Sequence, residues 1–532
     1  MNLRPVSILI QFLFILMSLF MPDRSSSQEW IRIYGQGKSA QGNCVIEDYD
    51  KGYNILGTIS NYKFAWLFKT DINGDTLWDK RFGNAQIQVG TSNIEKTHDG
   101  GYIFCGTWSK FNPSFDAFLI RLNACAEIEW CKTLITPTNY DIGIRVHSTH
   151  QGDFLLLGAY YFTDPISNTS LFKFNSDGDL IWQQFYPMDS IYFEDQPADL
   201  LVDNNGYLII SSRYFPDPGS TGPAWVRHYF IKTDTAGNQL WDLVYGANDY
   251  FYGWPYAARV NTSGNYYEVG SQIVLGTGHA PAFVKVLHNG TQSYNATLLT
   301  GTLYGGLSSA DFFNDSLLIM VGGWTSNNMT HDAFFKTDTL GNVKKIKDIF
   351  HITNGYGSTA KTFDNKFISI GIDATGGWKA YAVKVNSDLE YDSIYTHQFT
   401  YDSLCPYPIV STTIDPDCDN AYVGVEEPFK NPETTRLKVY PNPTTDYITI
   451  EMPKYLVVRN TAGRIPSTTV YHQWGSALLQ IYDLFGEKMF EKKVIRAETT
   501  LEIDVSRWSK GLYLCRLTFN KQTVGSSKVL VE

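Results

Sequence analysis

No stretch of this sequence gathers lysine and arginine into a block, and 43 Lys+Arg against 54 Asp+Glu give a formal net charge of -11. That lack removes the electrostatic footprint of a nucleic-acid binder or of a protein held on an anionic membrane surface. Past the N-terminus no apolar run is long enough to span a bilayer, so no transmembrane segment is expected in the mature chain. Catalytic signatures are missing as well: there is no nucleophile elbow, HExxH, P-loop or dinucleotide fingerprint, and neither a cofactor nor a catalytic residue is assigned. Cysteine is sparse, at seven residues, and the odd number leaves at least one thiol outside any intrachain pair. Cys44, Cys105 and Cys515 sit among apolar neighbours and read as buried thiols. Cys125 and Cys131 flank a hairpin turn, whereas Cys405 and Cys418 bracket a proline-rich stretch, so each pair is a candidate disulfide of an oxidising compartment.

The one long apolar segment lies at the start. Arg4, then Val6 to Met21, then the polar Ser25-Ser26-Ser27 are the three parts of a secretory signal peptide over residues 1–27, with the mature chain expected from about Gln28.

What the chain has in quantity is glycine, 43 residues, and aromatic side chains, 15%. They recur in register. A Gly-aromatic turn, two strands, a polar turn and a strand with Trp repeat with anchors at Tyr53, Tyr102, Phe154, Tyr207, Tyr266, Leu317 and Phe367. Within each copy apolar and polar residues alternate over short runs, as in Ala65-Trp66-Leu67-Phe68-Lys69-Thr70, which is strand periodicity. Four strands, here called a to d, repeated seven times describe a seven-bladed β-propeller over residues 28–400. Trp30 to Gly35 matches the fourth strands at Trp78 and Trp241 and is placed to close the ring, although Leu389 to His397 already resembles a fourth strand for the last copy.

The acidic turns between strands c and d, at Asp71-Ile72-Asn73-Gly74-Asp75, Asn175 to Asp179 and Asp234 to Asn238, read as Asx-Gly turns and not as metal loops. His147 and His150, three apart on a strand, point to opposite faces and do not form a metal pair. Asp415, Asp417, Asp419 and Glu426 follow calcium-loop spacing, but Asn420 replaces the expected glycine, and the acidic stretch reads as linker with no metal assigned.

With strand a innermost, the d-to-a and b-to-c connections share one face of the ring. Tyr140, Tyr192, Tyr252, Tyr304 and Tyr356 precede strand a in five copies, and Trp108, Tyr214, Trp225, Trp324 and Trp378 lie at b-to-c connections. Exposed rings of this kind grip glycans or protein partners, so this face is the expected ligand site.

Composition changes after the seventh copy. Residues 401–436 are rich in Pro, Asp, Thr and Glu and read as a linker; residues 437–532 alternate again and describe a small antiparallel β-sandwich. That last segment carries, in order, Tyr440-Pro441-Asn442-Pro443, then Ile481-Tyr482-Asp483-Leu484 with Gly486, then Lys510-Gly511 with Tyr513, and a terminal Lys528-Val529-Leu530-Val531. The series resembles the type A C-terminal sorting domain of type IX secretion cargo. The resemblance implies a Gram-negative source, recognition by the type IX translocon and its sorting machinery, and a destination outside the outer membrane, released or held at the cell surface. Pro453 to Ala477 is a longer insertion than that family usually has. The expectation is therefore an all-β chain whose propeller acts as a binding module for a glycan or protein. The alternative is a polysaccharide-active enzyme, marked by two carboxylates about 5 to 9 Å apart in a pocket on the ligand face.

Overall fold

The computed structural model describes residues 29–109, 115–135, 141–163, 166–186, 194–203, 205–216, 223–246, 253–274, 278–299, 304–326, 329–349, 357–422, 435–451, 457–459, 468–470, 477–484, 486–494, 500–519 and 522–532. The signal peptide expected at residues 1–27 lies outside them. Among the described residues every regular element is a strand, and no helix is long and apolar enough to cross a membrane. The chain divides into two compact units, one of residues 1–134 and 140–421, the other of 135–139 and 422–532.

The first unit is a ring of sheets. Strand β1 is Ile31–Tyr34, and the first blade follows as β2 (Gln41–Glu47), β3 (Tyr53–Ile59), β4 (Phe64–Thr70) and β5 (Thr76–Phe82), paired antiparallel in that order. Each of the seven anchors opens or nearly opens the second strand of its sheet. The first strands, Gln41–Glu47, Val89–Lys96, Asp141–Ser148, Glu194–Asp203, Pro255–Val260, Tyr304–Asn314 and Ser358–Lys361, touch one another in cyclic order, and the seventh touches the first. Both faces of each central strand are therefore covered, which is why β3 is buried at every position where a solvated sheet would alternate.

Closure is made by β1, which pairs antiparallel with Lys379–Val385 as the outer strand of the seventh sheet. Residues 389–397 do not compete for that place. They fold back along the edge with two isolated bridges, Val385 to Tyr391 and Glu29 to Ser393, so the second fourth-strand candidate lies outside the ladder.

Two side-chain regularities hold the ring. Strand c of every blade carries a cation next to its end, and in five of the seven it reaches the a-to-b turn: Lys69 to Asp48 and Asp50, Arg121 to Asp99, Lys173 to Asp153, Lys232 to Asp203 and Lys384 to Asp364. The Asp364 carboxyl is held at about 2: burial pulls it up, but the Thr362 and Tyr395 hydroxyls with Lys384 and Lys366 outweigh that. Between blades, the strand-d tryptophan lies under the c-to-d turn of the next blade. Trp30 Nε1 donates to the Ile72 carbonyl and Trp130 Nε1 to that of Ser176, each at 2.8 Å. A Cβ at Gly178, where φ is +82°, would come within 2.8 Å of the Trp130 ring, so position and conformation both demand glycine. The turns themselves are Asx turns, with Asp71, Asn175 and Asp234 each accepting two backbone N–H groups.

The segment expected as a linker departs most from the sequence reading. Its described part, residues 401–422, is strapped along the outer edge of the first two blades. Thr412–Ile414 pairs in parallel with β5, Trp78 Nε1 donates to Asp402 Oδ2 at 3.0 Å, and Tyr407 Oη donates to Glu127 at 3.0 Å. The disulfides are Cys125–Cys405 and Cys131–Cys418, not the two local pairs expected, because the strap brings each distant cysteine to the outer hairpin of the second blade. Cys44, Cys105 and Cys515 are free and buried, and burial pushes the Cys515 thiol up to about 12.

In the second unit a five-stranded sheet and a three-stranded sheet share one core, built from Ile448, Ile450, Ile503, Leu479, Ile481, Leu517 and Val529 among others. Among the described residues the pairing is antiparallel except where Thr435–Arg436 runs parallel to the last strand and where Thr444 makes an isolated parallel bridge to Val531. Within the insertion, Val457–Arg459 pairs with Thr468–Val470.

Candidate functional site

The inner strands line a central cavity of about 720 Å³. Several of its charged groups pair with one another. Arg145 Nε lies 2.8 Å from Asp199 Oδ1, Arg259 approaches the other oxygen at 3.7 Å, and His147 Nδ1 sits 2.9 Å from Glu95 Oε1. Burial alone would lower the His147 pKa, but Glu95 reverses that and raises it. His150 lies in the turn beyond strand Asp141–Ser148 and stacks on His98 of the preceding blade at 5.8 Å. No cluster of three His, Cys, Asp or Glu side chains suited to a metal occurs among the described residues. Asp415 accepts from Asn84 and Asp419 pairs with Lys132, while Glu426 lies outside the described residues.

Above this cavity, on the face where the a strands begin, a concave pocket of about 660 Å³ opens between the fourth, fifth and sixth blades. Its lining includes Gln196, Ser212, Trp254, Tyr256, Ser271 and His279. The indole of Trp254 is fixed by a directed chain of hydrogen bonds. Trp254 Nε1 donates to Tyr214 Oη at 2.9 Å, Tyr214 Oη donates to Gln196 Oε1 at 3.0 Å, and Gln196 Nε2 donates to Glu194 Oε1 at 2.7 Å. An acceptor-only carboxylate at the end fixes the sense of every donor before it. His279 lies against the indole with centroids 4.7 Å apart and ring planes tilted by 36°, and burial lowers its pKa.

The backbone behind the indole is equally constrained. A Cβ at Gly253 would fall 1.7 Å from the Ser271 carbonyl oxygen, so only glycine lets this connection lie against the neighbouring strand. Beneath it the fully buried His228 and Glu268 meet at 2.7 Å, with His228 Nε2 3.2 Å from the same Ser271 carbonyl. Burial raises the Glu268 pKa against the pull of His228. In the fourth blade Arg213 forms a two-toothed pair with Asp195 at 2.9 and 2.6 Å and lies 3.5 Å from the Tyr229 ring centroid. The pocket wall is thus carried on buried, paired polar groups.

Of the residues expected to bind ligand, Trp108 and Trp324 are corrected. They are 1% and 9% exposed, packed against Phe118 and Phe335 inside the blades, because the end of strand b still lies within the sheet-to-sheet core. Trp378 is exposed at the seventh blade. Tyr304 and Trp225 are placed only by their backbones, in the strands Tyr304–Asn314 and Pro223–Thr233, and Tyr140, Tyr192, Tyr252 and Tyr356 lie outside the described residues. Trp254, Gln196, Tyr256 and His279 were missed. Trp254 stands two residues after Tyr252 in the same connection, outside the repeating tyrosine position.

In the second unit the motif residues organise turns. Asn442 donates to the Lys528 carbonyl at 2.7 Å and accepts from the Leu530 N–H at 2.9 Å, tying Tyr440-Pro441-Asn442-Pro443 to the last strand. Asp483 accepts the Glu487 N–H at 2.7 Å across the turn holding Gly486, beside Tyr482. Tyr513 Oη donates to the Ser509 carbonyl at 2.6 Å, and its ring packs on Trp508 around the Lys510-Gly511 turn.

Residues 438–532 match the family described as the secretion system C-terminal sorting domain. The chain is therefore an exported all-β protein, directed by the type IX system to the cell surface or the extracellular space through contact of this tail with the system's machinery. No curated protein matches the chain. Solved structures with similarity include a polysaccharide lyase of family PL25, an ulvan lyase, at TM-score 0.45 and 9% identity over 67% of this chain and 96% of that one. Polysaccharide lyase Uly1 follows at 0.42 and 9%, covering 65% and 90%, and an endo-arabinase from Bacteroides thetaiotaomicron at 0.30 and 10%, covering 47% and 93%. Likeness this distant says nothing of activity.

Proposed function

We propose that residues 28–400 are a binding module, carried out of the cell between a signal peptide at 1–27 and a sorting tail at 437–532, and that it takes a glycan in the Trp254 pocket. The observation that carries this reading is a neutral aromatic wall, held by the Trp254–Tyr214–Gln196–Glu194 chain, facing hydroxyl and amide groups in one concave site. A sugar ring offers a flat C–H face and a rim of hydroxyls, which such a wall and such groups complement. No carboxylate is among the described lining residues. Most glycoside hydrolases use a pair of them, so this lining lacks that machinery and fits a site that holds a glycan.

The test is native electrophoresis of the mature chain through gels containing xylan, arabinan, laminarin or pectin. Trp254→Ala is expected to weaken retardation by the bound polymer about tenfold, the loss of one interfacial anchor. Retardation unchanged by both Trp254→Ala and His279→Ala, in chains that unfold at the parental temperature, would move the ligand elsewhere. Release of shortened oligosaccharides would assign an enzyme instead.

A further inference from the structure

The seventh and first blades meet across the ring from the fourth and fifth, and there the same face carries a second aromatic feature. Ser60, Asn61 and Tyr62, the connection between β3 and β4, occupy the left-handed region in succession, at φ of 60°, 56° and 62°. None of them is glycine. Single non-glycine residues visit this region at a cost, and three in a row persist only where the surroundings impose them. They are imposed here: Ser60 N–H donates to the Lys38 carbonyl at 2.8 Å, and the Tyr62 carbonyl accepts from Val89 at 2.7 Å.

The turn lifts the Tyr62 ring to 39% exposure with its hydroxyl accepting from Gln41 Nε2 at 2.5 Å. Opposite it stands Trp378, 37% exposed, edge-on to Tyr62 with centroids 6.0 Å apart. The backbone of Trp378 is pinned by the Ala40 N–H at 2.9 Å, and Gly376 and Gly377 before it are also left-handed with open space around them. Trp108 and Trp324, at the corresponding connections of other blades, fold into the core. Trp378 is instead kept out of it.

We propose that Tyr62 and Trp378 form a second saccharide subsite, and that the ligand of this face is a polysaccharide chain long enough to cross the cavity mouth from the Trp254 pocket to this pair. This rests on the binding reading given above. Two neutral aromatic platforms on opposite sides of one opening suit a polymer whose successive rings stack in turn, and do not suit a mono- or disaccharide that one platform already holds.

Two probes separate the parts: the polysaccharide among xylan, arabinan, laminarin and pectin that retards the mature chain, and its own trisaccharide measured by calorimetry. Trp378→Ala and Tyr62→Ala are expected to weaken polymer retardation about tenfold and to leave trisaccharide affinity unchanged, Trp378→Phe to retain most polymer binding, and Trp254→Ala to weaken both probes. Polymer retardation unaltered in Trp378→Ala and Tyr62→Ala but lost in Trp254→Ala overturns the second subsite and leaves the pocket standing. Equal loss of polymer and trisaccharide in Trp378→Ala also overturns it. No retardation by any polymer overturns the binding reading itself.

Discussion

Replacing Lys69 with methionine is expected to destabilise the first unit by about 3 to 5 kcal/mol, the cost of leaving buried charge without its partner. The ammonium is 1% exposed and lies 2.6 Å from Asp48, 2.5 Å from Asp50 and 2.7 Å from Asp402. Burial by itself would drive its pKa down, but the three carboxylates outweigh that and raise it; Asp48 is likewise depressed by Lys69 despite its burial. Methionine fills similar volume, so packing survives while three carboxylates are left facing one another with Asp48 at 2% side-chain exposure. Arg121→Met is the control. Its carboxylate partners Asp99 and Glu129 are 61% and 42% exposed and water replaces the guanidinium there, while the carbonyls of Tyr102 and Leu122 lose a donor, so the expected cost is smaller, about 1 to 2 kcal/mol. Denaturant unfolding of both variants checks the contrast, and equal losses would contradict it.

The second large effect belongs to the strap. Changing Cys405 and Cys418 together to serine is expected to cost about 4 kcal/mol or more, with a fall of several degrees in the unfolding temperature. The bridges join residues 280 and 287 apart in sequence, so either one alone removes much of the freedom of the unfolded chain. With one closed, the other adds a loop of only about 20 residues, and the two effects add incompletely. Single variants should therefore each lose less than half of what the double loses. Limited proteolysis checks the local consequence: cleavage within residues 401–422 should appear in the double variant and be absent from the parent. A strap that resists protease without its disulfides would show that β5 pairing and the Asp402 contacts hold it unaided.

Much of this was legible in the sequence because a repeat states its architecture seven times. The anchors at Tyr53 through Phe367 marked the second strands, and the match of Trp30 to Trp78 and Trp241 marked the closing strand. The c-strand cation stands in the sequence, in Phe68-Lys69-Thr70, Ile120-Arg121-Leu122 and Val383-Lys384-Val385, but it was not among the features of the repeat first recognised, because its partner lies across the sheet and no linear pattern reports it. The strap was illegible for a different reason. Cys125 and Cys131 look like a local staple and Cys405 and Cys418 look like another; only the parallel pairing of Thr412–Ile414 on β5 brings the two pairs together. The pocket was half visible. Tyr214 was in the aromatic set, yet its role comes from Trp254 and Gln196, one in the d-to-a connection and the other within a strand, joined by hydrogen bonds between neighbouring blades.

Deleting residues 437–532 separates the address from the body it carries, and cell fractionation after that deletion is the most direct measurement. The expected result is a truncated chain that accumulates inside the envelope, with its two disulfides formed and its native-gel behaviour toward polysaccharide intact, while the full chain reaches the surface or the medium. A truncated chain found outside as efficiently as the full one, or one that no longer folds without the tail, would contradict the division.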